Sequence, residues 1–304
     1  MTTTIGFIGL GMMGRPMVEN LASRDGLAVI AFDRAPAALE ALTSLPSYGN
    51  ALSTSTRLED LTGCDVVITM LPNSAITSRV IEGADGEPGL VRILRRGSTI
   101  IDMGSSDPTE TIRLAPVLAA AGIGFVDAPV SGAVAKARAG TLAIMAGTDE
   151  ATFARIEPIL ARMGATLIRT GAIGSAHAMK ALNNYVYAAG LLAVSEALAI
   201  AERMELDPGI FADVLNASSG RNVASETKLK QFIIPRDFAG GFALALQAKD
   251  IATAAKLQGV TGVDGRLLRL CDSVWKEAVD EAEPGADNTS IYRHVARRSA
   301  ATRS

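Results

Sequence analysis

Lys180 and Asn184 are four residues apart, which sets them one turn apart on one face of a helix with Asn183 alongside. A helical lysine is ordinarily a solvated charge. Here the neighbours Ala176, Ala178, Met179, Ala181, Leu182 and Tyr185 are mostly apolar, and an asparagine pair buried among them needs partners, so the pattern predicts a cleft wall. Upstream, Ser131 offers a hydroxyl and Gly132 and Ala133 offer backbone amides, a set suited to holding a small carboxylate. On its own, Ser131 fits an ordinary loop equally well.

A second chemical signal lies near the amino end, where Gly9-Leu10-Gly11-Met12-Met13-Gly14 joins an apolar, β-rich run to a helical pattern. Gly9 would permit a tight turn, Gly11 the approach of a pyrophosphate, and Gly14 close packing of helix on strand. Amides at the helix start would face the phosphates. Asp33 ends the next strand-like run, where a carboxylate can accept hydrogen bonds from a ribose, which favours NAD over NADP. Arg34 beside it could pair with the extra phosphate of NADP, so NADP stays possible. Glycines used only for a turn, or a Rossmann-like methyltransferase, are the competing readings. Met70, Leu71 and Pro72, after a central strand, and the segment 104–106, after the next, are expected to complete the nucleotide wall, because ligands of such folds collect at the carboxyl ends of strands.

These residues need a scaffold, and the chain of 304 residues is long enough for two domains. Hydrophobic residues make up 48% and charged residues 20%, the composition of an ordinary soluble globular protein. A formal charge of -3 gives no general attraction to nucleic acid or an anionic membrane. Cys64 and Cys271 form no close pair, and with only two histidines a metal site is not expected. The amino end shows no secretory pattern and the run 185–201 is interrupted by Ser195 and Glu196, so no membrane span and a cytoplasmic address are expected.

The elements read as strands at 4–10, 28–32, 65–71, 99–103, 124–127, 142–146 and 166–170, with helical stretches at 35–42, 58–61, 74–81, 109–121 and 150–163 between them. That alternation predicts an α/β fold with a mostly parallel, doubly wound Rossmann-type sheet. Beyond Gly174 strands vanish and helical spacing takes over, with a long apolar helix over 179–200. Residues 1–172 are therefore expected to form the dinucleotide domain and 173–304 an all-α substrate and oligomerisation domain. The small, basic tail, 296–304, is expected to fray.

With these motifs in this order, the chain resembles the β-hydroxyacid dehydrogenase family, of which 3-hydroxyisobutyrate dehydrogenase and tartronate semialdehyde reductase are members. The resemblance rests on residues 6–14, Asp127-Ala-Pro-Val-Ser-Gly132, Gly140-Thr-Leu142, Gly174 through Lys180-Ala-Leu-Asn-Asn184, and Lys249-Asp250. It implies hydride transfer between NAD(P) and a short β-hydroxy acid at a domain cleft, in a homodimer or homotetramer. By the same resemblance Lys180 is the catalytic lysine and Asn184 its substrate-orienting partner. Ser131, Gly132 and Ala133 bind the carboxylate, and Lys249 lies at the edge of cofactor and substrate. Ser105 takes the family's serine or threonine position, and Phe242 closes the pocket. Three positions depart from the pattern: Ala133 replaces a second glycine, Gly104 removes a hydroxyl, and Lys136 adds a charge where small residues are usual. An imine reductase is disfavoured by Lys180, and a noncatalytic dinucleotide-binding redox sensor would need neither Lys180 nor Asn184. Oxidative decarboxylation, as in 6-phosphogluconate enzymes, is disfavoured by the shorter chain.

Overall fold

The computed structural model describes residues 2–301, and the chain divides into two compact units, Met1–Lys180 and Ala181–Ser304. In the first unit the strands are β1 Thr3–Ile8, β2 Leu27–Phe32, β3 Leu52–Ser55, β4 Val66–Thr69, β5 Gly83–Ala84, β6 Glu87–Pro88, β7 Thr99–Asp102, β8 Gly124–Asp127, β9 Val130–Ser131, β10 Leu142–Gly147 and β11 Gly164–Gly171. They form one large sheet in the order β11-β10-β8-β7-β4-β1-β2-β3, with β9 paired to β10, while β5 and β6 make a separate hairpin. From β3 across to β8 every neighbouring pair is parallel. The β10–β11 pair is parallel within itself but antiparallel to β8.

Burial explains why the central strands are apolar at every position. All four residues of β4 and of β7 are buried. Successive side chains point to opposite faces: Val66, Ile68 and Ile101 join Met17, Val18 and Leu21 of the helix Gly14–Ala22, whereas Val67 and Ile100 join Leu114 and Leu118 of the helix Pro108–Ala121. A doubly wound sheet follows, as the alternation of elements predicts. The strands fall within two residues of their expected bounds. Absent from the expectation are β3, the β5–β6 hairpin with the helix Leu90–Ile93, β9, and the helix Ala133–Ala139.

In the second unit every described element is helical: the remainder of Ser175–Arg203, then Pro208–Ala217, Val223–Thr227, the π-helical turn Leu229–Ile233, Leu244–Thr261, Arg266–Glu281 and Ile291–Ala301, with the 3-10 turn Asn288–Ser290. Their core collects Leu191, Leu198, Ile251, Trp275 and Ile291. Helix covers much of the tail that composition marks for fraying, since it runs to Ala301; residues 302–304 lie outside the described residues. The 29-residue helix Ser175–Arg203 is long and apolar enough to cross a membrane by length and composition, a correction to the expectation of no such segment. Half of its most apolar window is buried inside the protein, as in the core helix of a globular fold.

Candidate functional site

The turn between β1 and the first helix is built by its glycines. Gly9 has φ of +101°, and a Cβ there would stand 2.4 Å from the Met70 carbonyl oxygen. At Gly14 a Cβ would stand 1.9 Å from the Gly9 carbonyl oxygen, so this position admits no side chain while the helix packs on the strand. Gly11 differs: no atom lies within 4 Å of where its Cβ would be, which leaves room for a ligand against the backbone. Met13 precedes the helix without a side-chain cap, and Met12 is exposed. This uncapped start beside open backbone fits a dinucleotide pyrophosphate.

Asp33, just beyond β2, has a second job that sequence spacing does not reveal. Its Oδ2 accepts a hydrogen bond from the Leu10 amide at 2.7 Å, and its Oδ1 accepts one from the Ala35 amide at 2.8 Å. The carboxylate braces the glycine turn. Arg34 next to it is exposed. Met70 and Met103 continue β4 and β7, their amides donating to Ile8 and Thr69 at 2.8 Å, so the segments at 70–72 and 104–106 leave the sheet at the carboxyl ends of adjacent strands. The first unit thus brings Gly9–Gly14, Asp33, Met70, Leu71 and Pro72 to the carboxyl ends of neighbouring strands, with Ser105 one strand further along.

Ser131 belongs to β9 and pairs with Ala143 of β10. Gly132 follows with φ of +136°, and Ala133 takes φ of +55°, a left-handed conformation for a residue with a side chain. Ala133 opens the helix Ala133–Ala139, which carries Lys136 back over the loop. A Cβ on Gly132 would stand 2.6 Å from the Lys136 Cδ, so the lysine stem lies across the Gly132 backbone.

Lys180 is half-buried in the first unit, and the same helix continues to Asn184 in the second. Asn184 is buried, and its amide is fixed: Nδ2 donates to Asp250 Oδ2 at 2.6 Å, and Oδ1 accepts from Asn183 Nδ2 at 3.2 Å. Lys249 Nζ lies 3.1 Å from Asp250 Oδ1. One buried carboxylate therefore holds both the asparagine and the second lysine. The Phe242 amide donates to Asp287 Oδ2 at 2.9 Å, which pins the segment before the helix Leu244–Thr261.

The sequence assigns no role to four buried polar residues in and around these segments: Asp102, Asp127, His177 and Asp250. The usable signals were slight. Asp102 and Asp127 are the last residues of strands whose central positions are apolar, and His177 lies among alanines one turn before Lys180.

Comparisons with known proteins agree with this architecture. Residues 4–174 match the family described as the NAD binding domain of 6-phosphogluconate dehydrogenase, and residues 174–295 match the one described as NAD-binding of NADP-dependent 3-hydroxyisobutyrate dehydrogenase. The chain is 38% identical over 250 residues to 2-(hydroxymethyl)glutarate dehydrogenase of Eubacterium barkeri, covering 82% of this chain and 80% of that one. It is 35% identical over 299 residues to the mitochondrial 3-hydroxyisobutyrate dehydrogenase of Homo sapiens, covering 96% and 87%. Among solved structures, the 3-hydroxyisobutyrate dehydrogenase of Mycobacterium tuberculosis with L-serine superposes with a TM-score of 0.84 at 32% identity, covering 96% of this chain and 99% of that one.

Proposed function

We propose, from the fact that the chain belongs to the β-hydroxyacid dehydrogenase family of NAD(P)-dependent oxidoreductases, that it reversibly oxidises a short-chain β-hydroxy acid such as 3-hydroxyisobutyrate or glycerate to the semialdehyde or ketone. The bound nicotinamide supplies the hydride acceptor. Lys180, neutral in the oxidation direction, takes the proton of the substrate hydroxyl, and as an ammonium returns it in reduction. Asn184 spends one N–H on Asp250 and has a second for the substrate oxygen. Ser131 with the amides of Gly132 and Ala133 receives the carboxylate, Lys249 steadies the edge of cofactor and acid, and Phe242 closes over the substrate.

The observation that carries this reading is the buried amide of Asn184, fixed by Asp250 one helical turn beyond Lys180, since an amide held in one orientation can present its second N–H to a substrate oxygen. Purified protein is assayed with NAD and NADP against C3 to C5 hydroxy acids of both hands. Turnover of at least one β-hydroxy acid is expected, and Lys180→Ala abolishes hydride transfer in a single turnover with binding intact. Cofactor binding without turnover of any acid would favour a redox sensor; turnover of cyclic imines alone would favour an imine reductase. Tighter saturation by NAD than by NADP is expected from Asp33, and the reverse would assign the exposed Arg34 to the phosphate of NADP.

Lys136 favours a second reading of the substrate. Its stem crosses Gly132 and the residue is exposed, so a cation next to this loop would suit an acid with a second carboxylate, as in 2-(hydroxymethyl)glutarate. Lys136→Ala then raises KM for the dicarboxylate and leaves KM for 3-hydroxyisobutyrate alone; equal effects on both exclude it. The buried free thiols Cys64 and Cys271 suit a reducing compartment, and we infer a cytoplasmic homodimer or homotetramer.

A further inference from the structure

We infer that His177 is a positioning residue that sets the direction of Lys180, by tying the first turn of its helix to the loop carrying Ser105. The inference rests on the reading of Lys180 as the proton carrier.

His177 has no exposed side-chain surface, and its ring nitrogens each lie 3.9 Å from a buried carboxylate oxygen, Nε2 from Asp102 and Nδ1 from Asp127. Its Nε2 is 3.2 Å from the Gly104 carbonyl oxygen, an atom that only accepts, so Nε2 carries the hydrogen and donates it. Nδ1 is 2.8 Å from Thr111 Oγ1 in the helix Pro108–Ala121.

The two carboxylates divide the work. Asp102 accepts from Thr69 Oγ1 at 2.9 Å, Gly104 N at 3.2 Å and Ser106 Oγ at 2.6 Å, so it shapes the loop 104–106 after β7. Asp127 accepts from the amides of Gly174 at 2.8 Å and His177 at 2.9 Å, so it holds the start of the helix Ser175–Arg203, whose early amides have no partner within the helix. Between these two anchors the imidazole is the connecting piece.

Lys180 follows His177 by three residues and therefore lies on the same side of the helix. With the ring bonded to Gly104, the rotation of the first turn about its axis is fixed, and with it the path of the lysine side chain. A long side chain magnifies a small rotation into a shift of about 1 Å at its amine, and misplacement on that scale costs on the order of a hundredfold in rate.

The test compares His177→Gln, His177→Asn and Lys180→Ala in the full chain, reading kcat, KM, cofactor Kd and Tm. Glutamine offers an amide N–H near the place of Nε2; asparagine reaches only to the place of Nδ1. His177→Asn is expected to lose between about tenfold and about a hundredfold in kcat with cofactor Kd within about twofold, and His177→Gln to recover most of it. A residue that only stabilised the fold would lower Tm in both variants and leave kcat per folded molecule unchanged. Wild-type kcat in His177→Asn, or equal losses in both variants, overturns the inference while an inactive Lys180→Ala leaves the reading of Lys180 standing. An active Lys180→Ala overturns both. Should the variants not fold, nitrogen NMR of the wild-type protein, which has two histidines, gives the same decision: a slowly exchanging proton on Nε2 of His177 supports it, and a bare Nε2 overturns it.

Discussion

Ala133 stands in a left-handed conformation at the loop proposed to receive the acid, with φ of +55° directly after Gly132 at +136°. An L side chain there costs about 1–2 kcal/mol, part of which a glycine would return to chain entropy in the unfolded state. Ala133→Gly should therefore stabilise the protein by up to about 1 kcal/mol in urea unfolding. An unchanged or lower midpoint would show that the helix Ala133–Ala139 needs the methyl group more than the relaxed backbone. The cysteines make a different kind of prediction. Burial first, with Asp65 adding to it at Cys64 and Glu196 at Cys271, pushes both thiols from the ordinary value of 9.0 up to about 11. A folded-state value raised in this way stabilises the fold fully below about pH 9, and the contribution is lost as pH climbs towards 11, because unfolded thiols ionise first. At pH 8 neither thiol should react with a disulfide reagent until denaturant is added; rapid labelling of the native protein would contradict the burial.

Among the elements, legibility follows from how many positions face the core. Val66–Thr69 and Thr99–Asp102 announce themselves because helices cover both faces of the sheet and every position must be buried. β3 does not: it is the edge strand Leu52-Ser-Thr-Ser, with Leu52 its one buried residue, and three hydroxyl residues in a row read as loop. The helix Ala133–Ala139 is seven residues of small and basic type, too short to display a period. The glycine turn was legible in both its residues and its place. The bond from the Leu10 amide to Asp33, which joins it to the end of β2, spans 23 residues and leaves no local pattern. The roles of Asp250 and His177 were not legible for the opposite reason, since a charged or polar side chain reads as surface until its partners are known. The close contact at Gly14 also belongs to this scale. Gly14→Ala would place a methyl group 1.9 Å from the Gly9 carbonyl oxygen, so strand and helix must separate. A destabilisation of about 2 kcal/mol or more is expected, together with weaker cofactor binding because Gly9 moves. A variant with native Tm and native cofactor Kd would mean that the turn yields without cost.

At the scale of the whole molecule, the helix Ser175–Arg203 carries an apolar stripe that is not part of the buried core. Ala188, Leu191 and Leu198 on this helix are fully buried in the core of the second unit, so one side is already used. On another side Met179, Leu182 and Val186 are 48%, 44% and 67% exposed, and their spacing of three and then four residues lines them into a stripe. Scattered apolar side chains need no explanation, but a stripe along one helix is the pattern of a face that packs against something. Further exposed apolar residues follow at Ile200, Met204, Leu206, Ile210 and Val214. A second copy of the chain would supply an apolar face of the same kind, since a two-fold arrangement of such stripes is self-complementary. Light scattering on the purified protein should therefore give a whole-number multiple, two or four, of 31.5 kDa. Val186→Asp buries a carboxylate without a partner in that contact and should shift the mass towards a single chain. The variant should leave Tm extrapolated to low concentration nearly unchanged, because Val186 contributes little to the core of its own unit. A wild-type mass of 31.5 kDa across the micromolar range would leave the stripe without a second copy to cover it.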